Sequence, residues 1–255
     1  MNFLVAAQSD VGIAKSTNQD SLCAKIAQTD DGQIAMCIVC DGMGGLSKGE
    51  LASASVIKRF SDWFENELPN NLENFRWDYV SEKWTHMIKT LNKSIGDYGR
   101  EHGFSLGTTV TAILLFKNEY LIAHVGDSRV YKVNNKLEQL TDDHSVVGRE
   151  VQRGKMTAEE AELDPRRNIL LQCVGASKSV SPQIITGQIE NTAGYLLCSD
   201  GFRHVITANE IFEAIDPRVT NTSDKMNSRL RELIQLAMSR NEKDNISALL
   251  VLARV

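Results

Sequence analysis

Prolines are scarce, four in 255 residues, and the chain has no internal repeat, low-complexity stretch or proline- and glycine-rich linker to mark a boundary. One domain spanning 1–255 is therefore expected, large for a single domain and long enough for a substantial core. No apolar stretch approaches the roughly 20 residues needed to cross a membrane, and the first ten residues lack the basic segment of a signal peptide. Lysine and arginine (28) are outnumbered by aspartate and glutamate (33) and cluster nowhere along the sequence, so there is no electrostatic footprint for nucleic acid. These absences predict a cytoplasmic protein that binds neither membrane nor nucleic acid.

Cysteines are few and odd in number: Cys23, Cys37, Cys40, Cys173 and Cys198. The Cys37–Cys40 spacing suits zinc or redox chemistry. No second such pair follows, however, and strand residues three apart face opposite ways. Buried, reduced thiols are expected.

What the chain does have is a recurring aspartate where apolar runs stop. Asp20 closes Asn18-Gln19-Asp20, Asp41 opens Asp41-Gly42-Met43-Gly44-Gly45, and Asp127 lies in Gly126-Asp127-Ser128-Arg129. Asp200 lies in Ser199-Asp200-Gly201 and Asp244 in Asp244-Asn245-Ile246. Taken singly, Asp-Gly is a common hairpin turn and Asp-Ser a tight turn. Four of the five, however, adjoin a β-type apolar run, so strands sharing one sheet system would gather several carboxylates at one rim. Gathered carboxylates repel one another and resist ionisation unless hard divalent cations neutralise them. All-oxygen sites of that kind suit Mg²⁺ or Mn²⁺, and two such ions activate water for attack on phosphorus.

These motifs, together with Gly12, Gly107-Thr108-Thr109 and Leu140-Thr141-Asp142-Asp143-His144-Ser145, resemble the protein phosphatase 2C (PPM) family from Phe3 to Leu252, and Met43 resembles its bacterial branch. The resemblance implies a metal-dependent serine/threonine phosphoprotein phosphatase using two Mn²⁺ or Mg²⁺ ions, with a third, weaker site. Asp41 would bridge the two metals with the Gly42 carbonyl as an extra ligand, Asp200 and Asp244 would hold the first metal, and Asp127 with Asp200 would form the third site. Asp20 would act through metal-held waters or as a weaker ligand. Gln19 stands where some members have glutamate and contributes no charge. Lys15 stands where members carry a phosphate-gripping arginine; it keeps the charge and loses the two-pronged hydrogen bond. A metal-bridging hydroxide would attack phosphorus in line, with no phosphoenzyme. Met43 cannot donate a proton, so a metal-held water would protonate the leaving alkoxide. Gly44 and Gly45 would turn the backbone tightly beside the metals. His124, His144 and His204 lack metal-ligand spacing and are expected to make structural hydrogen bonds.

Strands are predicted at 3–9, 21–27, 33–40, 108–116, 119–125, 130–133, 183–189, 195–198 and 246–252. Several are continuous apolar runs, as in sheets covered on both faces. Helical spacing pairs 52–64 with 77–98, and a short helix at 209–215 with one over 226–237. Such interleaving argues for an α+β fold; the resemblance implies a four-layer α-β-β-α sandwich of two antiparallel sheets flanked by helix pairs. A long excursion at about 141–181 carries the capping box Thr157-Ala158-Glu159-Glu160, which predicts a short helix, and resembles the family's flap. The expected partners are phosphorylated proteins, substrates of a cytoplasmic serine/threonine kinase, met by a monomer. Two alternatives share the sequence: a catalytically silent phosphoprotein-binding module, which Gln19 and Lys15 leave open but the intact Asp41, Asp200 and Asp244 argue against, and a hydrolase of small phosphate esters with the same chemistry.

Overall fold

The computed structural model describes residues 1–43 and 48–254. Strands β1 (Asn2–Asp10), β2 (Ser21–Thr29), β3 (Gly32–Cys40) and the two-residue β4 (Gly42–Met43) lead to helices α1 (Gly49–Asp62) and α2 (Trp77–His102). Next come β5 (Gly107–Thr108), β6 (Val110–Phe116), β7 (Glu119–Val125), β8 (Arg129–Val133) and β9 (Leu137–Gln139). The excursion that follows holds α3 (Val146–Gln152) and α4 (Ala158–Leu163). The chain closes with β10 (Gln183–Gln188), β11 (Gly194–Cys198), α5 (Asp200–Arg203), α6 (Ala208–Ile215), α7 (Ser223–Ser239) and β12 (Ile246–Arg254).

Two five-stranded antiparallel sheets, ordered β1-β12-β11-β8-β9 and β10-β7-β6-β3-β2, face each other. β3 shows why its sequence is apolar throughout. Ile34, Met36, Ile38 and Cys40 pack with Val56, Phe60, Trp63 and Trp84 of the α1–α2 layer. Ala35, Cys37 and Val39 point the other way, against Tyr195, Leu197, Leu249 and Val251 of the opposite sheet. The outer face of that second sheet is covered by Ile211 and Ile215 of α6 and by Met226, Leu230 and Ile234 of α7. Four layers result, α-β-β-α, each strand alternating between two cores. Cys37 and Cys40 accordingly lie in different cores, and all five thiols are free. Cys23 and Cys173 are only part-buried, because β2 is an edge strand and Cys173 sits in the excursion.

The expected strands all form. Three departures have local causes. The strand expected at 108–116 breaks at Thr109, whose amide donates to the Asp41 carbonyl (2.9 Å), so Gly107–Thr108 pairs separately with β4. The excursion contains two helices rather than one: α4 has the predicted capping box at Thr157–Glu160, and α3 is capped by the Ser145 hydroxyl accepting from the Gly148 amide (3.0 Å). The aspartate-bearing strand ends belong to both sheets rather than to one, β3 to one and β11 and β12 to the other.

Candidate active site

Each aspartate is placed by hydrogen bonds of its own segment. Asp41 follows β3; its amide donates to Thr109 Oγ1 (2.8 Å), and its carbonyl accepts from the hydroxyl of Thr108 (3.0 Å). Thr109 Oγ1 also meets Ser128 Oγ (2.8 Å), beside Asp127 in the β7–β8 turn. Asp200 opens α5 directly after β11, where Ser199 and Ser247 exchange hydrogen bonds that join the ends of β11 and β12. Asp244 precedes β12 and accepts from its neighbour's amide, Asn245 N to Oδ1 at 2.8 Å.

Asn245 joins the segments. Its Oδ1 accepts from the Gln19 amide (2.9 Å), and its Nδ2 donates to the carbonyls of Val11 (2.9 Å) and Thr17 (3.2 Å), fixing the loop that carries Lys15 and Asp20. Gly12 lets this loop close. It has φ +76°, and a Cβ there would stand 2.3 Å from the Asp244 carbonyl oxygen, so a side chain is excluded by conformation and by space.

The five carboxylates feel one another. Burial first, then the charges of Asp20, Asp200, Asp127 and Asp244, raises Asp41 well above the usual carboxylate range. Burial, followed by Asp200 and Asp244, pushes Asp20 up to about 7, with partial relief from the facing Ser247 and Ser199 hydroxyls. Asp127 is likewise pushed to about 7 by burial and Asp200, while Arg203 and His204 pull it back. Both side-chain oxygens of Asp20 and Oδ1 of Asp200 are buried without closing a hydrogen bond. Buried acceptors are ordinarily satisfied; these close no hydrogen bond and sit among like charges, a set of hard oxygens suited to a hard cation. Among the described residues, no three histidine, cysteine, aspartate or glutamate side chains stand close enough to form a finished metal cage. A cation would have to draw the carboxylates inward.

Residues 13–249 match the sequence profile of the family described as protein phosphatase 2C. The chain belongs to the protein phosphatase 2C family. It is similar to a putative protein phosphatase 2C-type protein of Streptococcus pyogenes, 32% identical over 97% of this chain and 96% of that one. Among solved structures it resembles serine/threonine phosphatase Stp1 of Staphylococcus aureus, at TM-score 0.84 and 31% identity, over 100% of this chain and 96% of that one. It also resembles the catalytic domain of the phosphatase PstP in complex with two manganese ions, at TM-score 0.80 and 27% identity, over 99% of both chains. The chain is thus a serine/threonine protein phosphatase, a hydrolase of a metal-dependent family.

Around this phosphatase site the structure adds two carboxylates that the sequence motifs did not name, Glu242 and Glu50, and gives the three histidines their partners. His204, one helical turn after Asp200, places Nε2 3.5 Å from Asp200 Oδ2 and Nδ1 3.6 Å from Glu242 Oε2. Burial opposes its charge, yet Glu242 and Asp200 raise its pKa above the ordinary value. The i, i+4 spacing from Asp200 was the available signal. His124 is a satisfied core histidine, between Thr111 Oγ1 (2.9 Å) and the Asp142 carbonyl (3.1 Å), and His144 Nδ1 stands 3.2 Å from the Gly126 amide. Gln19 directs its amide to Glu50 Oε2 (3.4 Å), so α1 brings a carboxylate beside the uncharged position. Lys15 Nζ pairs with Asp244 Oδ1 at 2.9 Å; the expected phosphate contact thus rests, in this state, on an expected metal ligand. Gly44 and Gly45 lie outside the described residues.

The excursion that holds α3 and α4 is tied to the same centre. Arg203, on the helix that Asp200 opens, reaches the Asp127 carbonyl (3.3 Å) and Glu162 of α4 (3.0 Å), while Arg129 grips both Asp143 oxygens (2.8 and 2.7 Å). Although burial works against it, these two arginines hold the Asp143 carboxyl below its ordinary value. A cavity of about 140 Å³ under α4, lined by Arg129, Asp143, Glu162 and Arg203, includes none of the five aspartates in its wall.

Proposed function

We propose that this phosphatase hydrolyses phosphoserine and phosphothreonine in proteins with two divalent ions, Mn²⁺ or Mg²⁺, held by Asp41, the Gly42 carbonyl, Asp200 and Asp244, with Asp127 and Asp200 offering a third, weaker site. The observation that carries the metal assignment is the set of buried carboxylate oxygens on Asp20 and Asp200 that close no hydrogen bond, in a cluster whose burial and negative charges raise the pKa values of Asp20, Asp41 and Asp127. When bound, the two ions supply a nucleophile from water near neutral pH and neutralise the transferring phosphoryl group. The protein's part is positional. Thr108 and Thr109 hold Asp41 by its backbone, Asn245 fixes the Lys15–Asp20 loop against β12, and His204 with Glu242 orients Asp200. Lys15, half-exposed at the rim, is the cation available to a substrate phosphate once Asp244 turns to a metal. Asp20 acts beside the metals as a weaker ligand or hydrogen-bond base.

The further parts of the reading rest on the resemblance: a single phosphatase domain over 1–255 with its flap at about 141–181, working as a cytoplasmic monomer opposite a serine/threonine kinase. In the described residues no helix is long and apolar enough to cross a membrane.

The decisive experiment is phosphate release from a phosphothreonine peptide with chelator and with Mn²⁺. Chelator should abolish turnover and Mn²⁺ restore it, while Asp41→Ala and Asp200→Ala stay inactive at any metal concentration. Full turnover in chelator would remove the two-metal mechanism.

A further inference from the structure

Beyond the flap helices, residues 173–180 fold back onto α2. Asn92, nearly buried, clamps them, its Nδ2 donating to the Ser177 carbonyl (3.0 Å) and its Oδ1 accepting from the Gly175 amide (2.8 Å). Gly96 completes the contact; a Cβ there would meet the Gly175 carbonyl oxygen at 2.7 Å. Beside this clamp lies a cleft of about 640 Å³ whose wall carries Lys89, Lys93, Arg100 and Lys178 with Ser179. A second cleft of about 310 Å³, sharing Arg100 and Gly175, continues toward Phe104. Lys48 Nζ stands 4.9 Å over the Phe104 ring, adding a fifth cation at that end.

The charges do not cancel. Asp97 neutralises part of Lys93 (2.6 Å) and Arg100. Lys89 and Lys178 make no ion pair among the described residues. The carbonyl end of α2, at Gly103, contributes only about half a negative charge. A cleft of net positive charge on a chain of net charge −5 is complementary to anions and focuses them locally.

The same loop touches the catalytic centre on its inner side. Val174 exchanges two backbone hydrogen bonds with Thr108, both 2.9 Å, and the Thr108 hydroxyl donates to the Asp41 carbonyl (3.0 Å). A chain seated in the cleft therefore lies one loop thickness from the backbone that holds Asp41.

We propose that this cleft docks an acidic segment of the phosphoprotein substrate, aspartate and glutamate side chains a few residues from the phosphorylated one. The proposal deepens the phosphatase reading and rests on it. Its charge is carried by exposed side chains of α2 and of the end of the flap, which are far apart in sequence, and Asn92 ties the backbones of the two segments together.

The test compares phosphothreonine peptides that are identical except for an acidic or a neutral flank on either side. The wild-type enzyme should show a KM roughly five-fold lower for an acidic flank, in line with two exposed ion pairs. The advantage should vanish at about 0.5 M salt, where exposed charges are screened. Lys89→Glu with Lys178→Glu should abolish it while leaving kcat and KM unchanged for the neutral peptide and for nitrophenyl phosphate; Lys89→Ala with Lys178→Ala should reduce it. No acidic preference on either flank, or a preference that survives the double charge reversal, would overturn the proposal. So would a single-stranded oligonucleotide that displaces labelled acidic peptide at lower concentration than unlabelled peptide does. Failure of the phosphatase reading itself would appear separately, as absent turnover of the neutral peptide.

Discussion

Asp20 should destabilise the metal-free protein, and replacing it by asparagine should show by how much. Both its oxygens are buried without a closed hydrogen bond, and its pKa lies near 7 rather than at the ordinary 3.8. The folded state therefore keeps its proton to higher pH than the unfolded chain, so Asp20 makes stability fall as pH rises from about 4 to about 7, and changes nothing further above that. The whole span corresponds to on the order of 4 kcal/mol, most of the fall lying between about pH 5 and pH 7.5. Relaxation of the loop that carries Asp20 toward solvent reduces the effect to about 1–2 kcal/mol. For a chain of this size that is roughly 2–8 °C in Tm. Two histidines, His124 buried and His144 half-buried, act in the opposite direction: burial lowers His124 to about 3 and also lowers His144, so their neutral forms add stability as pH rises. They are common to wild type and variant and cancel in the difference. In chelator, Tm of Asp20→Asn minus Tm of wild type should therefore grow by several degrees between about pH 5 and pH 7.5, and Mn²⁺ should shrink it by neutralising the wild-type cluster. A difference that stays flat with pH, or a variant that loses stability toward pH 7.5, would refute the like-charge account.

Three further outcomes are expected. Asn245→Ala removes the acceptor for the Gln19 amide and the donor to Val11 and Thr17; thermal denaturation should show a loss of about 2–4 kcal/mol, and Mn²⁺ titration weaker binding as the Asp20 loop loosens. Lys15→Ala frees Asp244 from its ammonium partner, so calorimetric Mn²⁺ affinity should rise about two- to five-fold, the worth of an exposed pair, while KM for phosphopeptides rises. Unchanged metal affinity and unchanged KM together would leave Lys15 a surface charge. Met43→His should change kcat on phosphothreonine peptides more than on nitrophenyl phosphate, whose leaving group needs no proton; equal changes in steady-state kinetics would remove Met43 from leaving-group chemistry.

The sequence by itself determined the strands, the main helices and the identity of the aspartates, because each is a local property. β3 reads as a strand covered on both faces since its alternate side chains enter two cores, and Thr157–Glu160 announces α4 through a cap closed within four residues. Asp-Gly steps after apolar runs and the Asp-Asn step before one likewise declare themselves without a fold. What the sequence could not show was who meets whom. That Lys15 rests on Asp244, that Asn245 holds the loop 226 residues earlier in the chain, and that His204 stands between Asp200 and Glu242 depend on two sheets meeting at one rim. Short elements were also silent: β9 has three residues and α5 four, too few for a period to register. Charge gave the clearest contrast. No basic cluster exists along the chain, yet Lys89, Lys93, Arg100 and Lys178 line one cleft, because packing of the flap's end on α2 joins cations that composition counts only as scattered. Local chemistry is written residue by residue; the electrostatic field of a site is a sum over distances in space, and only the tertiary structure sets those distances.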